Sequence, residues 1–139
     1  MKPFSFESDT SEAAFKANGE TLEELFQNAF NALASIQVDV TVVQKKQGIK
    51  IDLRATNLEE LLHKLLERVL IEQDRKSIIL TQLEIELLSE KEVALKATAW
   101  GEKTSNRLEL RTQVKAITWD HFSIKKLKMG YTCRVALGL

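Results

Sequence analysis

The chain has 139 residues, 44% hydrophobic and 29% charged, which suits one soluble domain over residues 1–139 with a substantial core. Its 20 basic and 20 acidic side chains cancel, so no global field draws it to nucleic acid or an anionic membrane, and direct binding to either is not expected. No apolar run approaches the roughly 18 residues of a membrane span, and the opening M-K-P-F-S-F-E lacks a signal peptide's apolar core, so a cytoplasmic protein is expected.

Phe4-Ser5-Phe6 alternates and leads into the polar stretch Glu7 to Glu12. Ala13 to Ala17 reads as a second short strand, closing at the turn pair Asn18-Gly19. That arrangement puts Asp9 and Glu12 together at one edge. The first helix is signalled by Thr21 as N-cap and Glu24 as its capping-box partner. Leu22, Leu25, Phe26, Ala29, Phe30 and Leu33 then mark one apolar face at helical spacing.

Val38, Val40 and Val42 alternate, as do Ile49, Ile51 and Leu53. The spacing predicts a hairpin with Gly48 as the permissive residue of its turn. Asn57 and Glu60 open a second helix with the stripe Leu58, Leu61, Leu62, Leu65, Leu66, Val69 and Leu70. His63, Lys64, Glu67 and Arg68 fall on its polar face, where a lone histidine is expected to be solvated.

From Ser77 onward the period is that of strands. Ile78, Leu80, Leu83, Ile85 and Leu87 form one, with a bulge near Gln82 where the alternation slips. Val93, Leu95, Ala97 and Ala99 form the next. Arg107 to Asp120 predicts a long central strand: Leu108, Leu110, Thr112 and Val114 alternate with Glu109, Arg111, Gln113 and Lys115. From Ala116 the residues turn apolar, which predicts entry into covered interior with Lys115, Thr118 and Asp120 near the boundary. Phe122, Ile124 and Lys126 make a further strand, and after Met129-Gly130 come Tyr131, Cys133, Val135 and Leu137. Two amphipathic helices and several half-apolar strands combine most economically as an α+β domain, with the helices packed on one antiparallel sheet or two.

Little in this inventory carries chemistry. There is no glycine-rich phosphate loop, and the single cysteine, Cys133, excludes an internal disulfide and a multi-cysteine zinc site; it reads as a small buried hydrophobe. Asp120 and His121 are adjacent on a strand, so they should point to opposite faces and not form a relay. A non-enzymatic role is expected. The acids Asp9, Glu12 and Asp120 and the carboxylate of Leu139 are the oxygen donors available to a hard cation, though spacing alone reads them as solvated.

Five stretches resemble the archease family of small cytoplasmic proteins. Phe4 to Gly19 looks like its opening strand pair around an H-T-A-D-type bend, here Asp9-Thr10-Ser11-Glu12. Glu20 to Phe26, E-T-L-E-E-L-F, is similar to its first helix, and L-L-H-K-L-L-E-R-V-L from Leu61 to its second. Leu95 to Glu102 followed by L-R-T-Q-V-K-A-I-T-W resembles its L-x-G-x-x-x-G-E and L-K-T-E-V-K-A-V-T-Y-H signature, and the terminal R-V-A-L-G-L its R-V-x-F-D-I strand.

The resemblance implies two helices on β-sheet and a role as protein cofactor of the tRNA-splicing RNA ligase, speeding its guanylylation and turnover. Lys115 and Thr118 would then serve partner binding, and other RNA-processing enzymes are further candidate partners. It also implies calcium held by acids of the opening bend and last strand. Here the bend's aspartate is Glu12 and its histidine Asp9, the strand's glutamate is Gln113, the closing histidine is Asp120, and the last strand's aspartate is Gly138. Glycine supplies no side-chain oxygen. The metal site is therefore expected to be lost or weakened unless Asp9, Asp120 or the Leu139 carboxylate substitutes. The alternative function is a diverged binding module of the same fold, with another partner and no metal.

Overall fold

The computed structural model describes residues 2–8 and 13–139. Its elements are β1 (Phe4–Ser8), β2 (Ala13–Gly19), α1 (Leu22–Gln37), β3 (Gln47–Arg54), α2 (Leu58–Lys76), β4 (Ile78–Ser89), β5 (Ala94–Lys103), β6 (Ala116–Leu127) and β7 (Gly130–Gly138). They form two antiparallel sheets, ordered β1-β2-β7-β6 and β3-β5-β4. Each helix touches both sheets, so the helices join them: α1 lies against β2, β7 and β4, and α2 against β6, β3 and β4.

Both helices begin as their caps dictate. The N–H of Glu24 donates to Thr21 Oγ1 at 3.1 Å, and that of Glu60 to Asn57 Oδ1 at 2.8 Å, each cap contributing about 1 kcal/mol. The return leg at α2 goes one residue further out. Glu60 accepts from Thr56 N and Oγ1, and those bonds hold its carboxyl below the usual range. The stripes are core: Leu25, Phe26, Leu33, Leu61, Leu62, Leu65 and Leu66 are all fully buried. The slip near Gln82 is a register shift between Leu80 and Gln82.

Cys133 is buried, and burial pushes its thiol up to about 12 from an ordinary 9.0. The folded state thus keeps a proton that the unfolded chain loses above pH 9. Stability from this group is complete below pH 9 and lost as pH rises toward 12, by as much as about 1.4 kcal/mol per pH unit. Urea unfolding of the native chain and of Cys133→Ala at pH 8 and 10.5 is expected to show the steeper alkaline loss in the native chain; parallel losses would contradict it.

Five sequence expectations fail here. Val38 to Val42 is not a strand: Val38 caps α1, and Val40–Val42 is a turn of 3-10 helix. Asp39 takes over locally, accepting from the Thr41 N–H and hydroxyl, a side-chain bond that competes with strand pairing. Gly48 therefore closes no hairpin. It lies in β3 opposite Trp100, where a Cβ would sit 2.9 Å from the indole ring.

Of the predicted strand Arg107 to Asp120, Arg107 and Leu108 lie in a turn, with Leu108 N–H donating to Ser105 O, and the segment 109–115 belongs to neither sheet. It bridges α1's end through Val38↔Leu110, Arg111 N to Gln37 O and Thr112 N to Ile36 O. Sheet pairing begins at Ala116 and continues through Leu127, so the two predicted strands meeting at Asp120 are one. Nor does it run into covered interior, since Trp119 is 57% exposed.

Candidate functional site

Two of the sequence candidates, Lys115 and Leu139, lie where β2 begins, β7 ends and β6 begins. Ala13 pairs with Leu137, Ala116 pairs with Gly138, and the N–H of Lys115 donates to Gly138 O at 2.8 Å. This corner brings Lys115 beside the chain end, Gly138-Leu139. Lys115 is exposed and makes no ion pair with any described carboxylate. Asp9 and Glu12, the acids of the opening bend, lie outside the described residues.

Asp120 is not brought to this corner. Its carbonyl accepts from Arg134 Nη1 at 3.3 Å, and Arg134 is four residues from Gly138 along β7, or about 13 Å of strand. The side chains of Asp120 and His121 also meet, with Oδ1 and Nδ1 3.1 Å apart. Strand alternation would separate them, but His121 is left-handed with φ 52°, at the irregularity between Thr118 and Ser123. Thr118 is half-buried, its hydroxyl donating to Ala136 O at 3.4 Å and accepting from Asp120 N.

For calcium, the described donors at the corner do not make a site. Gly138 brings no side-chain oxygen, and no group of three or more His, Cys, Asp or Glu that could hold a metal occurs among the described residues. Space is not the obstacle, because a Cβ at Gly138 would meet only Ala116, at 3.5 Å.

Beside the corner runs an open groove of about 800 Å³ between the C-terminal half of α2 and the extended segment leading into β6. Ile71 and Leu110, both about half exposed, give it apolar walls, with Glu67 and Asp74 on the helix side and Arg111 and Lys115 on the other. Glu102 anchors that segment. It is buried, pairs with Arg107, and lies 4.0 Å from Lys46, while Arg107 also donates to Val42 O.

His63 corrects the expectation of a solvated histidine. It is 5% exposed, with Nε2 2.9 Å from Ile117 O. A carbonyl only accepts, so Nε2 carries the proton. The ring stacks on Trp119 at 3.8 Å and 3°, and Phe122 meets both edge-on.

Glu72, on the same helix, was also not anticipated. It is 2% exposed with Arg68, Arg75 and Lys76 around it. Burial pushes its carboxyl up, but hydrogen bonds and charge from Lys76 and Arg68 outweigh that and leave it below the ordinary range. Both residues had a signal in the sequence: Glu72 continues the stripe three after Val69, and His63 is three before Leu66.

The profile of the Archease protein family matches residues 4–138. A protein archease of Pyrococcus abyssi is 33% identical over 132 residues, covering 94% of this chain and 93% of its own length. One from Sulfurisphaera tokodaii is 31% identical over 126 residues, 90% of each chain. The solution structure of protein 1598 of Methanobacterium thermoautotrophicum superposes with TM-score 0.84 at 29% identity over 100% of both chains. A Thermotoga maritima crystal structure, named an archease and possible chaperone, superposes with TM-score 0.69 at 16% identity, over 96% of this chain and 94% of its own, a likeness of fold.

Proposed function

Because the chain belongs to the archease family, we propose that it is a non-enzymatic cytoplasmic cofactor of the tRNA-splicing RNA ligase, promoting its guanylylation and turnover. The observation that carries this reading is the V-K-A-I-T-W stretch. It keeps the family's pattern and places Lys115, exposed and without a described anionic partner, at the corner where three strands meet. An exposed cation on a fixed backbone suits a rim contact, which steers association. Thr118, whose hydroxyl is held to backbone, would shape the same strand. The test is the rate of ligase guanylylation with GTP, with and without this chain. Acceleration that drops with Lys115→Glu supports the reading, and no acceleration overturns it.

The metal belongs to the same proposal in weakened form. With Gly138 in place of a carboxylate, calcium at millimolar concentration is expected to raise the melting temperature by no more than about 1 °C. Gly138→Asp, for which there is room, is expected to give a clear rise, because a ligand that binds only the native state stabilises it. Glu12→Ala should abolish that rise. A strong calcium response in the native chain would contradict the weakening, and would redraw the site around Glu12, Asp9 and the Leu139 carboxylate.

A further inference from the structure

Glu59, His63 and Glu67 recur every four residues along α2 and share one face of it, and that face lies against β6. Glu59 Oε2 accepts from Ile124 N at 3.3 Å, His63 stacks on Trp119, and Glu67 Oε2 lies 3.9 Å from His63 Nδ1. Trp119 therefore has one ring face on a pinned imidazole, carboxylates on the helix turns to either side, and 57% of its surface open.

The basic residues of α2 itself are engaged elsewhere. Lys64 pairs with Glu60 at 3.4 Å and donates to Arg54 O, while Arg68, Arg75 and Lys76 converge on Glu72. Lys115 lines the same groove as Glu67 without pairing to it. Among the described residues, neither Glu59 nor Glu67 has a Lys or Arg partner.

We propose that Trp119, flanked by Glu59 and Glu67, is a docking point for an arginine side chain carried by a basic segment of a partner protein. The negative face of an indole attracts a cation, and the planar guanidinium both stacks on it and presents N–H groups to carboxylates at its edge. Lysine offers only the point charge. The stack on His63, itself held by Ile117 O, sets the indole plane in advance, so little side-chain freedom is lost on docking. A nucleobase would find the same platform, but its phosphates would be brought against two carboxylates.

The test is titration of the native chain with hexa-arginine, hexa-lysine and hexa-uridylate by calorimetry, with Trp119 emission followed in Trp100→Phe. Saturable binding of hexa-arginine is expected, several-fold tighter than hexa-lysine. It should weaken about tenfold in Trp119→Ala and in the double variant Glu59→Gln, Glu67→Gln, each with an unchanged circular dichroism spectrum. Equal affinity in these variants would show nonspecific charge attraction and overturn the proposal. So would equal affinity for the two peptides, binding of the RNA in their place, or no binding at all. Should Trp100→Phe not fold, the calorimetric comparison of the native chain with Trp119→Ala decides.

Discussion

Replacing Gly101 by alanine is expected to destabilise the protein by at least about 3 kcal/mol, read as a fall in the urea midpoint. A Cβ at this position would lie 1.7 Å from Ile79 O and 2.9 Å from Leu80 Cα. Those atoms are backbone of the neighbouring strand, so no side-chain rotation relieves the overlap and β4 must move away from β5. The register shift after Leu80 lies at the same place. Overpacking in a closed core costs about 1–3 kcal/mol, and backbone displacement adds to it. Gly138→Ala is the control, expected to stay within about 0.5 kcal/mol because nothing lies closer than 3.5 Å. Equal midpoints for the two variants would mean that β4 and β5 do not approach as described.

Leu25→Ala and Leu62→Ala should each cost roughly 2–5 kcal/mol, the range for leucines in a core that cannot collapse fully around the cavity. Both are 0% exposed, Leu25 on α1 and Leu62 on α2, within one cluster that includes residues of both sheets. The helices are what joins β1-β2-β7-β6 to β3-β5-β4, so either cavity loosens that junction. Met129→Ala, at a residue 82% exposed, should change stability by less than about 0.5 kcal/mol. Losses below that size in both leucine variants would mean that the stripes do not hold the sheets together.

Where burial and period agreed, the elements were legible in the amino-acid sequence. Thr21, Asn57 and the leucine stripes specify both helices through local rules, and β2, β4, β5 and β7 announce themselves by alternation. Alternation misled wherever another contact decided the backbone. Leu108 and Val114 are buried as the pattern required, yet the segment between them pairs with the end of α1 and joins neither sheet. Val40 and Val42 alternate, but the Asp39 carboxylate turns the chain into a 3-10 turn first. Period alone fixed neither the partner nor the burial of every apolar position, since Leu110, Val40 and Val42 are exposed.

The site was legible in part. Lys115 and Leu139 do come together, because β6 and β7 are paired at Ala116 and Gly138. Asp120 does not join them, because it lies five residues on from Lys115 along the same stretch, about 16 Å of strand. His63 reads as a surface residue from its chemical type, although its spacing puts it beside the stripe, and Glu72, three after Val69, passes without a reading. His63 is buried with a partner from a distant strand, the Ile117 carbonyl, whereas Glu72 has cations of its own helix, Arg68, Arg75 and Lys76, gathered on it.

The central claim is that this chain serves the tRNA-splicing ligase. Multiple-turnover joining of tRNA halves by the ligase of the same organism, with and without this protein, tests it most directly. Ligase in its presence is predicted to continue past a single round, several-fold faster than ligase alone, with Lys115→Glu losing most of that gain. A folded sample that leaves an active ligase unchanged would contradict the claim and mark the fold as a scaffold serving another partner.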